Sequence, residues 1–170
     1  MKESIEEYAN SNKILTMNEA YDAMVDYLDK YCNRVHSEDL DCLLSGMYIL
    51  ESDGTSVDSA AQEDWKESID KVLKQNFANK DLTIIKEQVN NSADKIKVLT
   101  LHEAYNAMID YLEGFCERTS SDETRALLDG MHLLANEISA SPVAFAEWKK
   151  SVDKILKQNP QIRPYFTLTR

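Results

Sequence analysis

Leu15 to Leu50 reads LTMNEAYDAMVDYLDKYCNRVHSEDLDCLLSGMYIL, and Leu99 to Leu134 reads LTLHEAYNAMIDYLEGFCERTSSDETRALLDGMHLL. At an offset of 84 residues, 18 of these 36 positions are identical. A second stretch that begins at Trp65 returns at Trp148, at an offset of 83 residues. Self-similarity at a fixed offset indicates a folding unit that occurs twice in the chain.

The two copies define the domain organisation that we predict. The first repeat covers residues 13–76 and the second repeat covers residues 95–159, with a structured connector at 77–94 and a tail at 160–170. A unit of this size is near the lower limit for a self-sufficient core. We therefore expect an all-α protein, in which two homologous three-helix units pack into one compact helical body, present as a monomer or homodimer.

Each repeat opens with a helix start signal. Thr16 and Glu19 are placed to form a capping box, and Thr100 and Glu103 repeat it. Apolar residues then recur at spacings of three and four, which predicts one buried face on a helix of about 18 residues.

Two more helices follow in each repeat. Ser37 and Ser121 are the predicted N-caps of the second helix. Gly46 and Gly130 stand inside that helix, where glycine costs up to about 1 kcal/mol against alanine, so we expect close helix contact there. The third helix carries Trp65 in the first repeat, and its apolar face is expected to close the core of its own unit.

The charge is unevenly divided along the chain. The formal net charge is −11, and residues 1–84 contribute −10 of it, with 8 basic and 18 acidic side chains. An acidic surface repels phosphate, so we expect no direct contact with nucleic acid and none with a membrane. A basic protein would be attracted to the first repeat, although the charge alternatively serves only solubility.

No pattern in the sequence points to catalysis or to a cofactor. Neither Cys-x-x-Cys nor His-Glu-x-x-His occurs, and there is no glycine-rich phosphate loop, so we predict no metal, no cofactor and no enzyme. Cys32 and Cys116 are equivalent and are interpreted as core residues. The odd number of cysteines and the absence of a signal-peptide pattern predict a cytoplasmic protein.

The exposed acids of the first repeat are the predicted partner-binding residues. They form a stripe on the first helix, follow the second N-cap, and surround the loop before the third helix. They are Asp22, Asp26, Asp29, Glu38, Asp39, Asp41, Glu51, Asp53, Asp58, Glu63 and Asp64. A catalytic carboxyl group would need burial to shift its pKa, whereas these residues are predicted on polar faces. The alternative is a solvated surface without a partner.

Comparison of the repeats separates the scaffold from the surface. The caps, the apolar stripes and the arginines Arg34 and Arg118 are shared, and these arginines are expected to cap or tie helices. The acids change: Asp22, Asp41, Glu51, Asp58 and Glu63 become Asn106, Arg125, Ala135, Ser141 and Ala146. This difference predicts that the second repeat supports the fold while the first contacts the partner.

One family resemblance follows from the shared motifs. It is carried by L-T-x-x-E-A-Y-x-A-M-x-x-Y-L at Leu15 to Leu28, R-x-x-S with two acids at Arg34 to Asp39, and L-L-x-G-M at Leu43 to Met47. D-G-x-x-x-D at Asp53 to Asp58 and D-W at Asp64-Trp65 complete it. Together these motifs resemble small bacterial immunity proteins of contact-dependent growth inhibition systems.

The resemblance implies a cytoplasmic antidote that binds and blocks a toxin domain delivered by a neighbouring cell. Many such toxins are nucleases with basic surfaces, which an acidic helical surface would occupy with fast, charge-steered association. The competing interpretation is a non-enzymatic helical adaptor or regulator. Such a protein would hold a partner peptide in a groove between the units or through its C-terminal tail.

Overall fold

The computed structural model describes residues 14–48, 56–75, 98–132 and 142–158. The predicted connector at 77–94, the tail at 160–170, Glu51 and Asp53 lie outside these ranges. The described residues are mostly helical, as predicted, with a small two-stranded sheet that was not predicted. In chain order the elements are β1 (Ile14–Thr16), α1 (Met17–Val35), α2 (Glu38–Met47), α3 (Ser59–Gln75), β2 (Val98–Thr100), α4 (Leu101–Thr119), α5 (Asp122–Met131) and α6 (Pro142–Gln158).

The predicted helix starts are confirmed. In both capping boxes the threonine oxygen accepts the backbone N–H of the glutamate three residues on, and the glutamate accepts the threonine N–H. Ser37 accepts the N–H of Leu40, and Ser121 accepts the N–H of Thr124. These caps satisfy donors that would otherwise be left without partners at the first turn.

The two-stranded sheet joins the starts of the two repeats. β1 and β2 are antiparallel, and Leu15 stands opposite Leu99, its own counterpart. Both leucines are completely buried. Three residues that lead directly into a cap are too few to show strand periodicity, which explains why this sheet was not predicted.

The third helices are exchanged between the repeats. α3 packs chiefly against α4, and α6 packs chiefly against α1. Trp65 nevertheless lies edge-on to Tyr21 of its own repeat and to Tyr111 of the other, at ring-centroid distances of 6.1 and 6.2 Å. The prediction that each third helix closes its own unit is therefore wrong for the body of the helix. Residues of both repeats form one continuous core.

Ion pairs fix this exchange at equivalent positions. Arg34 of α1 forms a bidentate ion pair with Glu147 of α6, with N–O distances of 2.5 and 3.0 Å. Arg118 of α4 pairs with Asp64 of α3 at 2.8 Å, which is the same contact in the other repeat. The prediction that the two arginines tie helices together is confirmed.

The cysteine and glycine predictions have mixed outcomes. Cys32 and Cys116 are buried, as expected. A Cβ atom on Gly46 would lie 3.3 Å from the Cβ of Asp58, so the chain passes close to this glycine just before α3. A Cβ on Gly130 would meet nothing within 4 Å. The expected close contact is thus found in the first repeat and is wrong for the second.

Candidate functional site

Two of the predicted partner-binding acids form internal ion pairs. Asp26 contacts Lys30 of its own helix and Lys154 of α6, and its side chain is only 10% exposed. Burial alone would raise the pKa of Asp26, but the bonds to the two lysines outweigh it and lower the pKa. Asp64 pairs with Arg118. Asp26 is thus largely enclosed between two lysines, whereas Asp64 forms one ion pair and is still 37% exposed.

Asp58 and Glu63 lie at the start of α3. Asp58 caps this helix as predicted, because its Oδ1 accepts the N–H of Ala60 at 3.0 Å. Both side chains are exposed. They are accessible to a partner, although Asp58 also has a structural role.

The exposed acids of α2 meet a second set of acids on α5. Ser37, the N-cap of α2, donates its hydroxyl hydrogen to Glu123 in the first turn of α5, so the two helix starts are adjacent. The acidic edge formed there consists of Glu38, Asp39, Asp41, Asp122 and Glu123, all of them exposed.

The acidic edge includes two residues that sequence reasoning missed. Asp122 and Glu123, which follow the N-cap Ser121, are not among the predicted partner-binding residues. Their equivalence to the acids of α2 was visible in the sequence, but only the tertiary contact brings the two helix starts together. α2 and α5 jointly carry six acidic residues and one basic residue, Arg125, so this edge is strongly negative.

Asp29 lies beside the acidic edge and holds an exposed tyrosine. The Tyr48 hydroxyl donates to Asp29 Oδ1 at 3.2 Å, and the Tyr48 side chain is 48% exposed. Partial burial raises the pKa of Tyr48, and the charges of Asp29 and Asp41 raise it further. An aromatic ring with a hydroxyl at the rim of a charged surface is a common feature of protein interfaces.

The helix exchange determines which charged helices lie side by side, so the excess of acids in the first repeat does not form one surface of its own. α6 has two acidic and four basic residues, and it packs on α1, which has four acidic and two basic residues. That pair of helices is neutral. α3 and α4 together carry eight acidic and four basic residues, a net charge of −4. The negative surface therefore draws on both repeats.

An open cleft of about 390 Å³ lies where α1 and α3 begin. Its lining comprises Met17, Asn18, Tyr21, Asp22, Gln62, Trp65 and Lys66. We call it the Asp22 cleft. The Trp65 indole donates to the carbonyl of Met17 at 3.2 Å, and the Tyr21 hydroxyl donates to the carbonyl of Met47 at 2.9 Å, so both rings are held in place.

Asp22 is a partly buried carboxylate in this cleft. Burial is the main cause of its raised pKa, and the nearby charge of Glu19 adds to it. Neither a hydrogen bond nor an ion pair joins the Asp22 side chain to any residue in the described ranges. Burial also raises the pKa of Tyr21, to about 12. Asp22 thus remains available to a positively charged group.

The described residues contain neither a metal-binding cluster nor a membrane-spanning helix. Across residues 14–48, 56–75, 98–132 and 142–158, no three His, Cys, Asp or Glu side chains converge as a metal site would require. No helix within the same ranges is long and apolar enough to cross a membrane.

Comparison with known protein families, curated proteins and solved structures finds no match to this chain. The resemblance to immunity proteins therefore stays a prediction.

Proposed function

We propose that this protein binds a basic protein partner through the acidic edge, and that the partner is a toxin domain which the protein neutralises in the cytoplasm. The observation that carries the proposal is the meeting of α2 and α5 at their starts, which gathers five exposed acids. The motifs that resemble immunity proteins supply the identification of the partner as a toxin. A non-enzymatic role belongs to the same proposal.

The physical basis is electrostatic steering. Exposed carboxylates on a rigid helical support attract a basic surface over a Debye length, about 8 Å at physiological salt. Such attraction mainly accelerates association, and salt weakens it. The acids at the two helix starts also interact favourably with the helix dipoles, so they lie on well-ordered turns.

A second candidate function is a helical adaptor that binds a partner peptide. The Asp22 cleft favours it, because a concave site with aromatic walls suits one or two peptide side chains. Ionic strength separates the candidates. Association through the acidic edge slows as salt is added. The binding of a peptide that the cleft holds by its apolar groups depends far less on salt.

We further propose that the two repeats arose by duplication of one helical unit. Equivalent ion pairs and the pairing of Leu15 with its counterpart support this origin. A chain in which the α3 sequence replaces that of α6 retains an acid opposite Arg34 and a lysine opposite Asp26. We expect it to fold with a cooperative thermal transition, and a chain that stays unfolded would contradict the proposal.

The proposal predicts a toxin coding sequence beside that of this protein, and the decisive experiment is coexpression of the two, scored by cell survival. The variant carries Glu38→Gln, Asp39→Asn and Asp41→Asn. A matched control removes three exposed charges elsewhere, with Glu67→Gln, Glu113→Gln and Glu117→Gln. In an association-rate measurement on the purified proteins, we expect the first variant to bind the toxin domain about tenfold more slowly at low salt and the control to bind it normally. Equal losses in both would show that net charge, not the acidic edge, is responsible.

A further inference from the structure

The second repeat contains a counterpart of the Asp22 cleft that is already filled. The equivalent positions on α4 and α6 include His102, Tyr105, Asn106 and Phe145. The Phe145 ring stacks on His102 with a centroid distance of 5.2 Å and an angle of 23°, and it meets Tyr105 edge-on at 5.1 Å. In the second repeat a flat side chain therefore occupies the space between the starts of α4 and α6.

The first repeat lacks this filling and has a charge in its place. Gln62 stands where the second repeat has Phe145, and Asn18 stands where it has His102. Asp22 replaces Asn106, so a neutral amide becomes a carboxylate. The floor is conserved between the repeats, with Tyr21 and Trp65 in place of Tyr105 and Trp148. The cleft of the second repeat is thus filled by its own Phe145 ring, whereas the cleft of the first repeat is open beside the negative charge of Asp22.

We propose that the Asp22 cleft takes an arginine side chain of the protein partner. The guanidinium group enters the open cleft beside Gln62, and its N–H groups donate to the Asp22 carboxylate. Arginine suits this site better than lysine, because its planar group stacks on rings and pairs with a carboxylate through two hydrogen bonds, whereas an ammonium is compact and strongly hydrated.

The charges around the cleft are consistent with a single cationic occupant. Asp22 and the buried Glu19 contribute negative charge, and Glu19 is committed to the capping box with Thr16. Lys66 is an exposed cation at the rim, and it would compete with the arginine. We therefore expect Lys66→Gln to strengthen arginine binding about twofold to fivefold, as for a partly exposed charge pair.

The inference rests on the proposed function, in which a basic partner approaches this protein, but it can be tested without that partner. N-acetyl-arginine methylamide is titrated into the full chain, and the indole N–H signals of the two tryptophans are followed by NMR. The lysine and phenylalanine methylamides serve as matched probes. We expect the arginine probe to shift the Trp65 signal saturably, with dissociation in the millimolar range, while the signal of the fully buried Trp148 stays constant.

Two variants make the test specific. Asp22→Asn copies the second repeat, which folds with asparagine at this position, and it should weaken the arginine probe at least fivefold. The double variant Asn18→His, Gln62→Phe fills the cleft as the second repeat fills its own, and it should abolish the Trp65 shift. Equal shifts with all three probes, or none with arginine, would overturn the proposal.

Failure of the arginine site and failure of the proposed function give different outcomes. If the arginine probe does not bind but the chain still protects cells from the toxin, the cleft assignment is wrong and the immunity function stands. If the probe binds as expected but cells are not protected, the arginine site stands and the toxin is not the partner.

Discussion

Asp26 of α1 and Lys154 of α6 offer a direct test of the helix exchange. Lys71 on α3 occupies the repeat position equivalent to Lys154, and it pairs with Asp110 of α4 at 3.4 Å instead. If the third helices stayed within their own repeats, Asp26 would pair with Lys71. The identity of the lysine that couples to Asp26 in solution therefore reports which helix packs on α1.

The expected coupling follows from the burial of the two partners. An exposed ion pair contributes about 0.2 to 1 kcal/mol, whereas breaking a buried pair costs about 3 to 5 kcal/mol. The Asp26 side chain is 10% exposed and that of Lys154 is 50% exposed, which places this pair between the two cases. Lys30 remains 2.5 Å from Asp26 when Lys154 is removed and offsets part of the loss. We expect a coupling free energy of about 1.5 kcal/mol.

The assay is a double-mutant cycle on the free energy of unfolding in urea. Trp65 and Trp148 are both buried, so their fluorescence reports unfolding. Asp26→Asn is combined with Lys154→Gln in one cycle and with Lys71→Gln in the other. The second cycle should be additive to within about 0.3 kcal/mol, as for groups that do not touch. A larger coupling to Lys71 than to Lys154 would refute the exchange.

The lowered pKa of Asp26 means that its contribution is present above the ordinary aspartate pKa of about 3.9 and is lost as the pH falls below it. The melting temperature of Asp26→Asn should therefore decline less between about pH 5 and pH 2 than that of the parent. Gly130→Ala should stabilise the protein by about 0.5 to 1 kcal/mol in urea unfolding, and Gly46→Ala by less, because its new methyl group meets Asp58. Ellman's reagent should label Cys42 alone in the native protein, and rapid labelling of all three thiols would contradict the burial of the other two.

Local features could be predicted from the sequence because they depend on neighbours within one helical turn. The capping boxes at Thr16 and Thr100, the N-caps at Ser37 and Ser121, and the burial of Cys32 all follow from spacings of three and four residues. The repeat itself also indicated which residues are structural. The capping boxes, the two N-caps and the burial of Cys32 are confirmed in the described residues.

The exposure expected of the predicted partner-binding residues is confirmed only in part. Glu38, Asp39 and Asp41 are exposed as expected, whereas Asp26 and Asp64 are engaged in ion pairs. Asp26 and Asp64 lie on helices as predicted. Lys154 and Arg118, which pair with them, come from distant parts of the chain. The pattern of polar residues along one helix does not reveal which side chains of other helices pack against its polar face.

The sequence by itself determined where each helix begins, which face of it is apolar and that the pattern occurs twice. Only the tertiary structure decided which third helix packs on which first helix. Arg34 has two equivalent acids available, Asp64 and Glu147, and α3 and α6 share most of their apolar positions. Because the repeats are so alike, local sequence does not distinguish the two pairings, which depend on contacts between residues far apart in the chain. The contact of α2 with α5, which forms the acidic edge, is likewise made between residues far apart in the chain.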